Sequence, residues 1–60
     1  PIHYFIHLKM QRACELLETT EFDVREIAEL LGYADPFYFS KLFKRTIGQS
    51  PQHFRIARVT

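Results

Sequence analysis

The stretch Val24-Arg25-Glu26-Ile27-Ala28-Glu29-Leu30-Leu31-Gly32-Tyr33-Ala34-Asp35-Pro36-Phe37-Tyr38-Phe39-Ser40-Lys41-Leu42-Phe43-Lys44-Arg45-Thr46-Ile47-Gly48 holds two helical patterns hinged on one glycine. Asp23 before the first pattern and Glu26 three residues on match an N-cap with its reciprocal acid, which fixes where that helix starts. Ile27, Leu30 and Leu31 supply its inward side, and small Ala28 allows close approach of a partner helix. Gly32 ends it, because a helix C-terminus commonly needs one residue at positive φ, which glycine adopts without steric cost.

Asp35 then caps a second helix, and Pro36 presets φ at its first position. Phe39, Leu42, Phe43 and Ile47 form the inward stripe of this helix. Phe37, Tyr38, Ser40, Lys41, Lys44 and Arg45 fall outside it or on its flanks. Two aromatics beside three cations are more than solubility requires, although Phe37 and Tyr38 could also simply cover a core edge. A helix, a tight glycine turn and a second helix with a cationic outer face make the layout of a helix-turn-helix, whose second helix enters the DNA major groove.

Outward from this motif the chain remains helical. Residues 2–18 place Phe5, Leu8, Ala13, Leu16 and Leu17 at mostly three- and four-residue spacings, the apolar stripe of a long helix. Pro1 suits a first turn, where its missing N–H costs nothing. Thr19-Thr20-Glu21-Phe22 breaks the periodicity and reads as a loop. After Gly48, Ser50-Pro51 opens a last helix over residues 51–58, with Phe54 and Ala57 facing inward. No run alternates with period two, so strands are not expected. The expected fold is an all-α bundle of about four helices, homeodomain-like, built around the helix-turn-helix.

Sixty residues make one domain at most, and a chain this short buries only about 60% of its extended surface. Its stability is then on the order of a few kcal/mol unless a neighbouring segment helps. An apolar fraction of 47%, with six phenylalanines and three tyrosines, suffices for one small core and argues against disorder. The lone Cys14 cannot form an internal disulfide, which fits a reducing compartment. No apolar run approaches the roughly 20 residues of a membrane span.

The net charge of +1 conceals an asymmetry. Residues 1–34 carry Lys9, Arg12 and Arg25 against Glu15, Glu18, Glu21, Asp23, Glu26 and Glu29, a net −3. Residues 35–60 carry Lys41, Lys44, Arg45, Arg55 and Arg58 against Asp35 alone, a net +4. The positive field gathers on the second half, where it could attract a polyanion. Ordinary surface solvation is the competing reading.

Pro1-Ile2-His3-Tyr4-Phe5-Ile6 resembles Pro51-Gln52-His53-Phe54-Arg55-Ile56. The second copy directly follows a helix-turn-helix, so the first is expected to follow another one, upstream of a chain that opens on Pro1 rather than Met.

The pattern Lys9-Met10-x-x-Ala13-x-x-Leu16-Leu17, Ile27-Ala28-x-x-Leu31-Gly32-Tyr33-x-Asp35, Tyr38-Phe39-Ser40-Lys41-x-Phe43-Lys44 and Gly48-x-Ser50-Pro51-x-x-Phe54-Arg55 resembles the AraC/XylS family of bacterial transcription regulators. The resemblance covers nearly the whole chain. It implies a DNA-binding unit of two helix-turn-helix subdomains joined by a long helix. Residues 1–60 would form one subdomain: 2–18 the connecting helix, 23–47 the second reading motif, and 51–58 the closing helix. The parent would be a longer cytoplasmic regulator whose small-molecule effector binds a domain absent from this sequence.

By that resemblance Pro36, Phe37, Tyr38 and Lys41 face base edges. Ser40, Lys44 and Arg45 hold phosphates by the same resemblance, and the cationic character of the outer face adds Arg25 to them. Phe37 stands where a small polar residue is common, which weakens hydrogen-bonded readout and favours contact with a thymine methyl. Lys9 stands where arginine is common, so a bidentate pairing made there would be lost. Double-stranded DNA is the implied partner, with RNA polymerase as a further one and no membrane.

Other chemistries find little support. His3 and His7 are spaced i, i+4 with Cys14 two turns on, but no further ligand accompanies them, so no metal and no cofactor is expected. No glycine-rich phosphate loop, nucleophile elbow or paired inward carboxylates suggest catalysis. The competing function is a protein-interaction module that uses Phe37, Tyr38 and the cations against polymerase or a partner domain.

Overall fold

The computed structural model describes residues 2–59, with side chains through residue 57. Pro1 and the Arg58 side chain, which figured in the sequence reading, lie outside what is described. Four helices follow in order: α1 (Ile2–Thr19), α2 (Val24–Leu30), α3 (Pro36–Ile47) and α4 (Pro51–Val59). No strand occurs among the described residues.

Local signals set the helix ends as expected. Asp23 Oδ1 accepts from the Glu26 N–H at 2.8 Å, while Glu26 Oε1 accepts from the Asp23 N–H at 3.0 Å. Two otherwise orphaned donors at the start of α2 are thereby satisfied. After α2, the Gly32 N–H donates to Glu29 O at 3.0 Å and the Tyr33 N–H to Ala28 O at 2.9 Å. This crossed pair is a Schellman cap, and it requires the φ of +91° that Gly32 adopts. Gly48 ends α3 in the same left-handed region, at φ +104°, with its N–H on Lys44 O at 2.8 Å. Ser50 Oγ accepts from the His53 N–H at 3.1 Å and opens α4.

The core is small and draws on the first three helices. Met10, Ala13 and Leu17 of α1 meet Ile27 and Ala28 of α2 and Phe39 and Phe43 of α3. Leu42, Ile47 and Phe54 pack half-buried around this centre, as do Ile6, Leu16 and Leu31. Pro51 is fully buried at the head of α4. Rings line the space behind α3: Tyr33, Phe39, Phe43 and Phe54 follow one another with centroids 5.6, 6.0 and 5.8 Å apart. Edge and tilted contacts at such spacings add roughly 0.5–1.5 kcal/mol each beyond the area they bury.

The structure corrects four inward assignments. Phe5 and Leu8 are exposed, and α1 instead turns Ile6, Met10, Ala13 and Leu17 toward its partners. Both sets have helical spacing, and the buried one is the less hydrophobic at Met10 and Ala13, so apolarity alone selects the wrong stripe. Leu30 is 61% exposed beside Glu26 and Glu29, because the seven-residue α2 has room for one buried line, through Ile27, Ala28 and Leu31. Ala57 is exposed because α4 turns Pro51, Phe54 and Arg55 toward the bundle. Thr19 adds one residue to the first helix, its hydroxyl donating back to Glu15 O at 2.7 Å.

Candidate nucleic-acid interface

Helix α3 is held from behind and open in front. Phe39 and Phe43 are completely buried, and Leu42 and Ile47 flank them. At about 100° per residue, Phe37, Lys41, Lys44, Arg45 and Tyr38 fall within an arc of roughly 120° on the opposite side. Phe37 is 79% and Tyr38 55% exposed, and all three cations of this arc are exposed. No carboxylate among the described residues pairs with Lys41, Lys44 or Arg45. Their ammonium and guanidinium groups are therefore available to an external anion.

The remaining expected site residues lie at the margins. Pro36 is half-buried at the first position of α3 and offers no donor. Ser40 is half-buried on the Lys44 side of the helix. Arg25 is exposed on α2 and faces Phe37 across a shallow notch that Glu29, Asp35 and Pro36 also line. The structure thus groups Phe37, Tyr38, Lys41, Lys44 and Arg45 on one face, with Arg25 across the turn.

Three features escaped sequence reasoning. The Lys9 ammonium lies over the Tyr33 ring, 4.9 Å from its centroid, and 3.8 Å from where a Cβ on Gly32 would stand. A cation on α1 is thereby brought beside the turn, and Tyr33 in turn touches Tyr38 at 6.1 Å between centroids. Lys44 borders a shallow groove with Gln49, Ser50 and His53, so α4 and the turn before it add polar groups beside the cationic face of α3. Arg55, counted above with the positive field, points away from it. Its guanidinium donates to Leu17 O at 3.2 Å and Thr20 O at 3.1 Å, closing the end of α1. A basic count could not have separated Arg55 from the α3 cations, because the distinction depends on tertiary packing.

Among the described residues two titrating groups are perturbed, neither toward reactivity. Burial, with Tyr38 adding a smaller electrostatic contribution, pushes the Tyr33 phenol above its usual 10.0. Burial and then the Glu18 carboxylate push the Cys14 thiol above 9.0, which favours the protonated form over a nucleophilic thiolate. Gln11 donates to His7 Nε2 at 3.2 Å, and among the described residues no group of three or more His, Cys, Asp or Glu could hold a metal ion. No helix among them is long and apolar enough to cross a membrane.

Comparison with known proteins agrees with this geometry. A helix-turn-helix domain family matches residues 1–57. The MmsAB operon regulatory protein of Pseudomonas aeruginosa is 42% identical over 55 residues, 92% of this chain and 18% of that protein. The HTH-type transcriptional regulator AlkR of Acinetobacter baylyi is 36% identical over the same shares. The Msm operon regulatory protein of Streptococcus mutans is 38% identical over 87% of the chain and 19% of its own length. The chain therefore spans under a fifth of these relatives. No solved structure matches it. With the glycine-hinged helix pair, the family match over nearly every residue and these regulators as relatives, the chain belongs to the AraC-type family of helix-turn-helix transcription regulators.

Proposed function

We propose that this chain binds DNA sequence-specifically as the second of two helix-turn-helix units in a longer bacterial, cytoplasmic transcription regulator, with α3 lying in the major groove. The observation that carries the reading is the division of α3 into an anchored back, Phe39 and Phe43, and an unpaired front that presents Lys41, Lys44 and Arg45. Phosphate contacts position such a helix and base contacts specify its site. Lys44 and Arg45 neutralise phosphates, assisted by Arg25 across the turn and by Ser40 on the flank. Lys41 and Tyr38 reach base edges, Lys41 toward guanine O6 or N7, while Pro36 and Phe37 contribute apolar contact.

In this reading α1 is the helix that joins the two units. Ile2, Tyr4, Phe5 and Leu8, all exposed at its amino-terminal end, suit packing against the first unit. The chain is a binding element without catalytic chemistry, and an effector acts through another domain of the regulator.

Titration of the intact regulator with duplex DNA at increasing salt tests the proposal. Three phosphate contacts give a log–log slope of about −3. Lys41→Ala alters preference at one base pair and costs roughly 1–3 kcal/mol there, whereas Lys44→Ala weakens all sequences alike and flattens the slope by about 0.9. The exposure of Phe37 and Tyr38 favours a second reading, an interface for RNA polymerase. Salt-insensitive polymerase binding without any DNA shift would replace the first reading with this one.

A further inference from the structure

Much of the main-chain donor capacity in the leading turn of α3 is already taken. Pro36 has no N–H, the Phe37 N–H is held by Asp35 Oδ1 at 2.9 Å, and the Phe39 N–H is held by the Asp35 main-chain oxygen at 3.1 Å. The carboxylates of Asp35 and Glu29 line the notch beside it together with Arg25, so a phosphate there would meet both signs of charge. The most exposed apolar side chain of this turn is the Phe37 ring, 79% exposed and free of any aromatic partner among the described residues. One turn further along the same face stands Lys41, exposed and unpaired.

In the major groove the apolar feature of a base pair is the C5-methyl group of thymine, and the remaining features are donors or acceptors. A phenyl ring, which carries no donor or acceptor of its own, can distinguish that methyl from its absence. It cannot satisfy the O4 or N4 beside it. We infer that Phe37 reads the C5-methyl of a pyrimidine rather than a hydrogen-bonding edge, so that this position of the site takes thymine or 5-methylcytosine in preference to their unmethylated counterparts. The inference rests on the DNA-binding reading above and adds the chemical group recognised.

The test selects binding sites for the intact regulator from a randomised duplex pool, then replaces each thymine of the selected site in turn by 2′-deoxyuridine. This change deletes one methyl and preserves pairing. At one thymine the replacement weakens binding about fourfold, the factor expected for one buried methyl-sized group. At the same position 5-methyl-deoxycytidine binds better than deoxycytidine by a similar factor. Phe37→Ala, at an exposed position that leaves the core untouched, removes both differences, and Phe37→Leu retains them. Uridine tolerated at every thymine overturns the inference, as does a Phe37→Ala protein that keeps the uridine penalty. A pool that yields no preferred site defeats the DNA-binding reading itself, whereas a clear site without methyl dependence defeats this inference alone.

Discussion

Arg55 in the last helix closes the first: its Nε donates to the main-chain oxygen of Leu17 at 3.2 Å, and its terminal nitrogen reaches Thr20 O at 3.1 Å. The end of α1 needs this help, because its last turn contains no basic residue and Glu15 and Glu18 lie near its negative pole. One side chain thus neutralises a helix terminus and fastens α4 to it.

Arg55→Met should lower stability by about 2 kcal/mol, since half-buried carbonyls lose charge-assisted bonds. Urea unfolding checks this: the midpoint falls while the slope is unchanged. Arg55→Lys should recover only part of the loss, because an ammonium lacks the planar fork that spans two carbonyls.

Gly48→Ala should cost about 1–2 kcal/mol through backbone strain alone. The residue sits at φ +104°, and an added Cβ would meet no atom within 4 Å. Thermal unfolding followed by circular dichroism should show a melting point lower by several degrees, about 4–8 °C per kcal/mol for a domain of this size. Unchanged melting would mean that the turn relaxes to negative φ.

Phe43→Ala should abolish the fold. The ring is fully buried between Phe39 and Phe54, and truncating such a side chain costs about 3–5 kcal/mol. A loss of that size matches the whole stability expected of a 60-residue chain. Helical circular dichroism at 25 °C should collapse, whereas in Phe37→Ala it should persist.

Tyr33 gives the chain a dependence on alkaline pH. Its folded phenol titrates above 10.0 because burial disfavours the phenolate, so the folded state retains a proton that the unfolded chain releases. Its contribution is complete below pH 10 and declines as pH rises through the folded value. The difference in unfolding free energy between the native chain and Tyr33→Phe should therefore be flat through neutral pH and fall above about 10. A difference independent of pH would show that the phenol is as well solvated folded as unfolded.

Where a feature depends on residues a turn apart, the sequence was readable. Asp23 with Glu26, Asp35 with Pro36, Ser50 with Pro51, and the two glycines each act within a few residues, and α2 and α3 begin and end, and α4 begins, where these signals place them, whereas α1 and α4 each run one residue past their expected ends. The division of α3 into Phe39 and Phe43 behind and Phe37, Lys41 and Lys44 in front followed from the same periodicity. Burial on α1 did not, because spacing defines candidate stripes and only the positions of α2, α3 and α4 choose between Phe5-Leu8 and Ile6-Met10. The Lys9–Tyr33 contact and the Arg55 cap link residues far apart in the chain, so no local pattern encodes them.

The residues that hold α3 in place and those it displays are different residues, with Phe39 and Phe43 wholly enclosed and Phe37, Tyr38 and Lys41 standing outside. Exchanging an exposed side chain away from such enclosed positions typically shifts stability by no more than about 0.5 kcal/mol. Substitutions at these outer positions therefore leave the scaffold intact, so that under the proposed DNA-binding reading target preference is separable from folding.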